Sequence, residues 1–375
     1  MIDNLKNKSF SYYNLHNLIK IYVFEDISRH LKNDIDFQVG EFLKGKEKFQ
    51  KDKVSDSIFV IPYNFKEIIL NKGNYKVVDF HKSKGEISTF FDDVEEKLTV
   101  FKEGNNFVIF SDTSNFLINI FIQYLLIEKG YSMIHAAGYL NSNGKVNIVT
   151  GAGGIGKTAI LGYAIKNKKL KYLGDDIIII GKSLVSFSFP RKFVFKKYHK
   201  EIYEDVFKEN KIKHFNFYYL KKIIFDIVPF RSVLKKFLKK INIYNFILKY
   251  LYPHDFLATI SPKKIFPENA YLESGSIDKI IFLNRGNVKN FEISDLSNKD
   301  FSSRTFSVLM NEWTNYSNQI FNLGALNVFN LPYFYKRNIE IIEEISNKII
   351  LKNIIAPRNC SIDELNNFLD EQGLF

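Results

Sequence analysis

Residues 151–158 read Gly-Ala-Gly-Gly-Ile-Gly-Lys-Thr and match the pattern G-x-x-x-x-G-K-[ST] at every fixed position. Gly151 and Gly156 permit backbone angles that a side chain would forbid, so successive N–H groups can curl around phosphate oxygens. An apolar strand pattern precedes the motif at 145–150, and a helical pattern follows it at 157–165. This strand–loop–helix order predicts an α/β fold that binds phosphate where the strand ends.

The residue types in the motif predict a nucleotide triphosphate with a metal ion. Lys157 can reach the β- and γ-phosphates, and the Thr158 hydroxyl is suited to ligate Mg²⁺. The backbone of the loop would hold the phosphates. We therefore predict a nucleoside triphosphate and Mg²⁺ as cofactors, with the nucleotide bound by Gly151, Ala152, Gly153, Gly154, Ile155, Gly156, Lys157 and Thr158.

Two adjacent acids, Asp175 and Asp176, follow a short predicted strand at 171–173. One carboxylate can support Mg²⁺, and its neighbour can accept a proton from an attacking hydroxyl. Adjacent acids at the end of a strand are also common turn residues. Their place after a phosphate loop favours the functional interpretation, in which one of the two carboxylates supports the metal and the other acts as base.

His135 lies in an apolar stretch, 132–140, that we predict to be one buried strand beside the strand of the phosphate loop. A lone histidine in such a strand is commonly a satisfied core residue. Its predicted nearness to the nucleotide makes a catalytic role an equal alternative.

These pieces together resemble the HPr kinase/phosphorylase family, whose nucleotide core is related to phosphoenolpyruvate carboxykinase. The likeness lies in His135-Ala-Ala-Gly, the phosphate loop and Gly174-Asp175-Asp176, and it is clear over residues 113–181. The resemblance implies an ATP-dependent kinase in which Asp176, His135 and Lys157 are catalytic and in which Thr158 and Asp175 hold Mg²⁺. It also implies a hydroxyl acceptor on a protein, a peptide or a small molecule, and assembly as a homo-oligomer. The family's downstream Glu-Ile-Arg-Gly stretch is not recognisable, so phosphorylase activity is not implied.

The expected architecture is a P-loop kinase core of the HPr kinase/PEP carboxykinase type at 113–375, preceded by an α/β accessory domain at 1–112. The segments 57–63, 75–80 and 97–112 read as strands, the last as a hairpin that turns at 104–106. Further along the chain we predict a helix at 113–130, a late core strand at 279–284 and a capping box at 361–364.

A basic helical insertion is predicted at 191–260. The net charge of the chain is +12, and residues 191–249 hold 16 Lys/Arg against 5 Asp/Glu. The amphipathic pattern at 232–252 fits a helix packed on the core, a lid that attracts an acidic substrate, or a membrane- or nucleic-acid-binding surface. No nucleic-acid module is present, so nucleic acid is the least favoured partner. Arg191 would touch a phosphate or remain an ordinary solvated arginine.

One cysteine, Cys360, excludes an internal disulfide framework and a cysteine-built zinc site. The first residues show no apolar run of the kind found in signal peptides, so we expect a cytoplasmic protein. Two other functions remain open on the same motif. One is a nucleotide-binding sensor that reports ATP to a partner without catalysis, and the other is a P-loop ATPase or GTPase that has no acceptor.

Overall fold

The chain is described from a computed structural model that covers residues 8–48, 56–65, 90–93, 97–112, 118–196, 203–209, 256–325, 327–328 and 330–375. It is a mixed α/β protein. One compact unit comprises 1–192 with 266–375, and a second comprises 193–265. The first unit contains two mixed sheets, and the described residues of the whole chain form eight α-helices. The predicted domain boundary after residue 112 stays a prediction.

The first sheet has seven strands, in the order β3-β1-β2-β4-β7-β6-β5. Its centre is parallel, β2-β4-β7, and its flanking pairs are antiparallel. The central strand β4 is buried along its whole length, as a continuous apolar run requires. The strands are β1 Ser9–Leu15, β2 Ile19–Phe24, β3 Leu43–Lys48, β4 Ser57–Ile61, β5 Phe90–Asp93, β6 Leu98–Glu103 and β7 Asn106–Ser111.

The predicted hairpin at 97–112 is confirmed. Strands β6 and β7 pair in antiparallel register from Leu98↔Ser111 to Glu103↔Asn106. Gly104 takes a φ of +59° in the two-residue turn, a left-handed conformation that glycine adopts without a steric penalty. The predicted strand at 57–63 is also confirmed as β4, whereas 75–80 lies outside the described residues.

The second sheet has nine strands. Its main path is β11-β9-β10-β16-β13-β12-β8, and β18 joins β16 while β17 joins β18. The remaining strands that the structure describes are β8 Tyr131–Ile134, β9 Ala136–Leu140, β10 Val146–Thr150, β11 Lys171–Gly174, β12 Ile178–Gly181, β13 Val185–Ser188, β14 Phe193–Lys196, β15 Phe256–Ile260, β16 Ser274–Gly286, β17 Glu292–Ser294 and β18 Ile350–Pro357.

Three parallel strands, β10, β16 and β18, form the part of this sheet that carries the phosphate loop. Because parallel neighbours run in the same direction, their carboxyl ends meet at one edge. The predicted late core strand at 279–284 is confirmed as the central part of the longer β16. Its extra residues at 274–276 pair with β13 and join the two halves of the sheet.

The prediction of one strand across 132–140 is wrong, because the chain divides at His135. Strand β8 pairs with β12, and β9 pairs with β10 and β11. These segments are mostly apolar and buried, and burial alone does not reveal that two neighbouring segments pair with different strands. The strand beside the phosphate loop is therefore β9, and His135 lies at the break before it.

The described helices are α1 Arg29–Val39, α2 Ile118–Glu128, α3 Lys157–Lys166, α4 Glu204–Glu209, α5 Asn298–Glu312, α6 Ser317–Ala325, α7 Leu331–Ser346 and α8 Ile362–Glu371. The predicted helix at 113–130 corresponds to α2, in which residues 118–127 are all buried. The predicted capping box is confirmed at the start of α8, where Ser361 and Glu364 satisfy each other's backbone N–H groups.

In the second unit, β14 and β15 pair in antiparallel register. The short helix α4 follows β14, and Tyr203 packs edge-on against Phe195 with ring centroids 5.3 Å apart. The predicted amphipathic helix at 232–252 lies outside the described residues. Among the helices that the structure describes, none combines the length and the apolar character that a bilayer span requires.

Candidate nucleotide site

The glycine motif forms the turn between β10 and α3. Gly151 and Gly156 take φ values of +137° and +114°, which an L side chain rarely adopts. A Cβ added to Gly151 would lie 2.2 Å from the carbonyl oxygen of Leu283 on β16. The loop is therefore held against the neighbouring strand so closely that only glycine fits at its first position.

Lys157 bends back over the loop that precedes it. Its Nζ donates hydrogen bonds of 2.7 Å and 2.9 Å to the carbonyl oxygens of Gly151 and Ala152. The residue is only 6% exposed. The ammonium group thus lies at the first turn of α3, where the helix dipole also favours an anion.

Thr158 and Asp175 bring two oxygen ligands together beside the loop. The Thr158 hydroxyl donates to Asp175, at 2.9 Å from Oδ2 and 3.2 Å from Oδ1. Burial and the neighbouring Asp176 carboxylate raise the pKa of Asp175 to about 6, against the opposing effects of Thr158 and Lys157. A bound cation would favour the ionised form of this carboxylate.

This pair fits Mg²⁺, which prefers oxygen ligands and commonly takes one or two from protein, with water and phosphate oxygens filling the rest of its shell. Within the ranges that the structure covers, no group of three or more His, Cys, Asp or Glu side chains could hold a metal ion. Two protein oxygens suit a metal whose remaining ligands are water and phosphate oxygens.

Asp176 adopts a left-handed backbone conformation, with φ +74°. Its Oδ1 lies 3.2 Å from His135 Nδ1, and its Oδ2 is ion-paired with Arg191 Nη1. Burial acts to raise the pKa of Asp176, but Arg191 and the hydrogen bond from His135 outweigh it and hold this pKa below its usual range. The two adjacent acids thus have opposite pKa shifts because they face different partners.

His135 is 7% exposed and lies between two carboxylates. Its Nδ1 faces Asp176, and its Nε2 is 3.7 Å from Glu312 Oε1. Its backbone carbonyl accepts a 2.9 Å hydrogen bond from Thr150, the last residue of β10. The histidine is buried, as the core interpretation expects, and it also contacts Asp176, as a role in the site requires.

Two residues near the loop had no place in the sequence prediction. Glu312 ends α5, and its Oε1 would lie 3.1 Å from a Cβ added to Gly153. Arg285 lies near the end of β16, and its Nε donates a 3.3 Å hydrogen bond to the carbonyl of Ile155 within the loop. The predicted late strand was the only signal that could have drawn attention to Arg285, and no local pattern marks Glu312.

Comparison with known proteins adds little to these contacts. No protein-family model matches the chain, and no curated protein matches it. Among solved structures that match, one is the HPr(Ser) kinase/phosphatase from Coxiella burnetii, at 8% sequence identity. The match covers 50% of this chain and 94% of that chain, with a TM-score of 0.21. At that TM-score the likeness supports no functional argument, so function must be argued from the site.

Proposed function

We propose that this chain is an ATP-dependent kinase of the HPr-kinase-like type, which transfers the γ-phosphoryl group of ATP to a hydroxyl acceptor. One observation carries the proposal: two adjacent carboxylates beside the phosphate loop have separate partners. Asp175 accepts from Thr158, the predicted metal ligand, whereas Asp176 faces His135 and Arg191. That division matches the two tasks of phosphoryl transfer, metal support and alignment of the acceptor.

Binding would begin at the loop, where backbone N–H groups and the start of α3 receive the triphosphate. The Lys157 ammonium, now bonded to two loop carbonyls, would turn its charge toward the β- and γ-phosphates. When bound, Mg²⁺ would supply positive charge that offsets the negative charge developing during phosphoryl transfer. Thr158 and Asp175 would hold that ion.

Asp176 would accept the proton of the attacking hydroxyl. Its lowered pKa keeps it ionised at neutral pH, although it also makes the carboxylate a weak base. A weak base suffices where the transition state is loose and the nucleophile is little deprotonated before attack. His135 would fix the orientation of the carboxylate through the Nδ1 contact.

A nucleotide sensor without catalysis is the second candidate. The ion pair between Arg191 and Asp176 favours it, because a carboxylate held by both Arg191 and His135 has limited capacity for an acceptor hydroxyl. In that case ATP would bind and no phosphoryl group would leave. In the kinase, Arg191 would have to exchange part of its contact with Asp176 for phosphate or acceptor.

Phosphate transfer from γ-labelled ATP with Mg²⁺, with and without cell extract, tests the proposal. The wild-type protein should label an acid-stable acceptor, and Asp176→Asn should lose label by about 10²–10⁴-fold, as expected for a general base. Lys157→Met should lose both transfer and tight ATP binding. Asp26→Asn makes the same chemical change at an exposed position and should leave labelling intact.

The other outcomes separate the rival functions. ATP binding without transfer, equal for wild type and Asp176→Asn, would favour the sensor. Steady phosphate release without any acceptor would instead identify an ATPase.

A further inference from the structure

The phosphate loop has chemically different neighbours on its two sides. Strand β10 lies between β9 and β16 in the sheet. Beyond β9 is β11, which runs in the same direction as β10 and leads into Asp175 and Asp176. On the opposite side, β16 and β18 end at Arg285 and at the turn 358–360. Acids therefore flank one side of the loop, and an arginine with a backbone turn flanks the other.

Arg285 connects the loop to that turn. Its Nε donates to the carbonyl of Ile155, and its Nη1 donates to the carbonyls of Arg358 and Cys360, at 3.1 Å and 2.9 Å. Its Nη2 would lie 3.9 Å from a Cβ added to Gly156. A positive charge is thus held at the second half of the phosphate loop, away from the two acids.

The start of α8 completes this side with apolar groups. A Cβ added to Gly156 would also lie 3.3 Å from Leu365 Cδ2 and 3.5 Å from Ile362 Cδ1. Helix α8 directly follows the turn that Arg285 holds. Leu365 is fully buried, whereas Ile362 is partly exposed, so Ile362 is the apolar side chain that can contact a ligand here. An apolar surface beside a few fixed polar groups is the usual lining of sites for nucleosides and other small molecules.

The direction of the triphosphate follows from these two sides. Its γ-phosphate must lie toward Thr158, Asp175 and Asp176, because the metal and the acceptor are required there. A triphosphate with that end at the acids extends across the loop toward β16 and β18. We infer that the nucleoside of the bound nucleotide lies against the Arg358–Cys360 turn and the start of α8, with Arg285 beside the adjacent phosphates. This inference rests on the proposed ATP site.

Cys360 provides a direct test, because it is the only cysteine in the chain. The residue is half-buried, and burial raises the pKa of its thiol, so alkylation by iodoacetamide should be followed by mass spectrometry at about pH 8.5. Nucleotide at about ten times its Kd should slow the reaction about tenfold by mass action. ATP and ADP should both protect. Tripolyphosphate has no nucleoside, so it should leave the alkylation rate of Cys360 unchanged when it occupies the same fraction of the protein.

A matched control places the reporter elsewhere. Lys44→Cys in a Cys360→Ser background moves the thiol to β3, an exposed edge strand of the first sheet. ATP should leave the alkylation rate of this cysteine unchanged. Protection of both thiols to the same extent would show a global effect of nucleotide and would overturn the inference.

Calorimetry on the same samples separates this inference from the proposed function. ATP that binds without protecting Cys360 would overturn the nucleoside placement and leave the ATP site in place, and equal protection by tripolyphosphate would do the same. Failure of ATP to bind at all would overturn both the nucleoside placement and the proposed ATP site. As an independent readout, Cys360→Phe should weaken ATP binding about tenfold through steric conflict while tripolyphosphate binding stays unchanged, with Cys360→Ser as the size-conserving control.

Discussion

The Thr158 hydroxyl and the Asp175 carboxylate are joined by a hydrogen bond of 2.9 Å, although 17 residues separate them in the chain. Thr158 lies in the first turn of α3, and Asp175 follows β11. The contact brings together the two oxygen ligands that the proposed mechanism assigns to Mg²⁺. It therefore makes the metal dependence of ATP turnover the most direct property to examine.

Replacement of Thr158 by valine should weaken the apparent affinity for Mg²⁺ in ATP turnover. Valine keeps the shape of threonine but has no hydroxyl to ligate the ion or to orient Asp175. Losses of about 10–100-fold in metal affinity are typical even for residues that only orient a ligand. Turnover measured across a Mg²⁺ titration gives this value. Thr158→Ser keeps the oxygen and should stay close to wild type, and a valine variant with an unchanged Mg²⁺ requirement would exclude Thr158 as a ligand.

Gly151→Ala should abolish nucleotide binding and destabilise the fold. The new methyl group would lie 2.2 Å from the Leu283 carbonyl oxygen, so β10 and β16 would have to separate. Gly144→Ala is the matched control, because Gly144 also has a positive φ, +74°, but has nothing within 4 Å of its added Cβ. The control should cost only the left-handed penalty of about 1–2 kcal/mol.

Denaturant unfolding and ATP calorimetry on both alanine variants distinguish the two effects. If Gly151→Ala loses no more stability than Gly144→Ala and still binds ATP, the loop tolerates a side chain and the close approach to β16 is unimportant.

Local sequence signals predicted the parts of this molecule that depend on local interactions. The glycine motif specifies a turn between a strand and a helix, and the Ser361–Glu364 spacing specifies a helix start. The hairpin at Gly104 follows from turn chemistry of the same kind. In each of these, the residues that determine the structure are adjacent or a few positions apart.

The residues that complete the site come from distant segments, which a single sequence does not connect. Glu312 reaches His135 across 177 positions, and Arg285 reaches Ile155 across 130. The break of the strand at His135 was missed for a related reason. Apolar periodicity reports that a segment is buried, but strand pairing is decided by the whole sheet.

The ion pair between Arg191 and Asp176 should show a measurable coupling energy. Arg191 is 16% exposed and its Nε has no hydrogen-bond partner among the described residues, whereas the Asp176 side chain is 42% exposed. Because Arg191 is largely buried, solvent screens this pair less than it screens a pair on the surface, although the exposure of Asp176 limits the gain. The expected coupling energy is therefore about 1–2 kcal/mol, above that of a surface pair. A double-mutant cycle with Arg191→Met and Asp176→Asn, followed by denaturant unfolding, measures it. A coupling near zero would mean that Arg191 does not pair with Asp176 in solution.

His16 should make the stability of the fold depend on pH. It connects the hairpin β1–β2 to the second sheet, where His16 Nε2 lies 2.7 Å from the carbonyl of Ser188. Its ring packs on Phe187 and Phe42, with centroids 5.0 Å and 5.4 Å away. A neutral imidazole that donates from Nε2 satisfies this environment.

Burial lowers the pKa of His16, and Lys44 acts in the same direction, while the Ser188 hydrogen bond and Glu273 oppose them. The unfolded chain, with an ordinary histidine pKa of 6.5, therefore binds this proton more readily than the folded chain. The contribution of neutral His16 to the free energy of unfolding is complete above the unfolded pKa of 6.5. It is lost as the pH falls from there toward the lower pKa of the folded state.

The urea midpoint of the wild type should therefore be lower at about pH 5.5 than at about pH 7.5. His16→Gln keeps a donor for Ser188 without a titrating ring, so its midpoint should decrease less. An equal decrease in both proteins would assign the pH dependence to other groups.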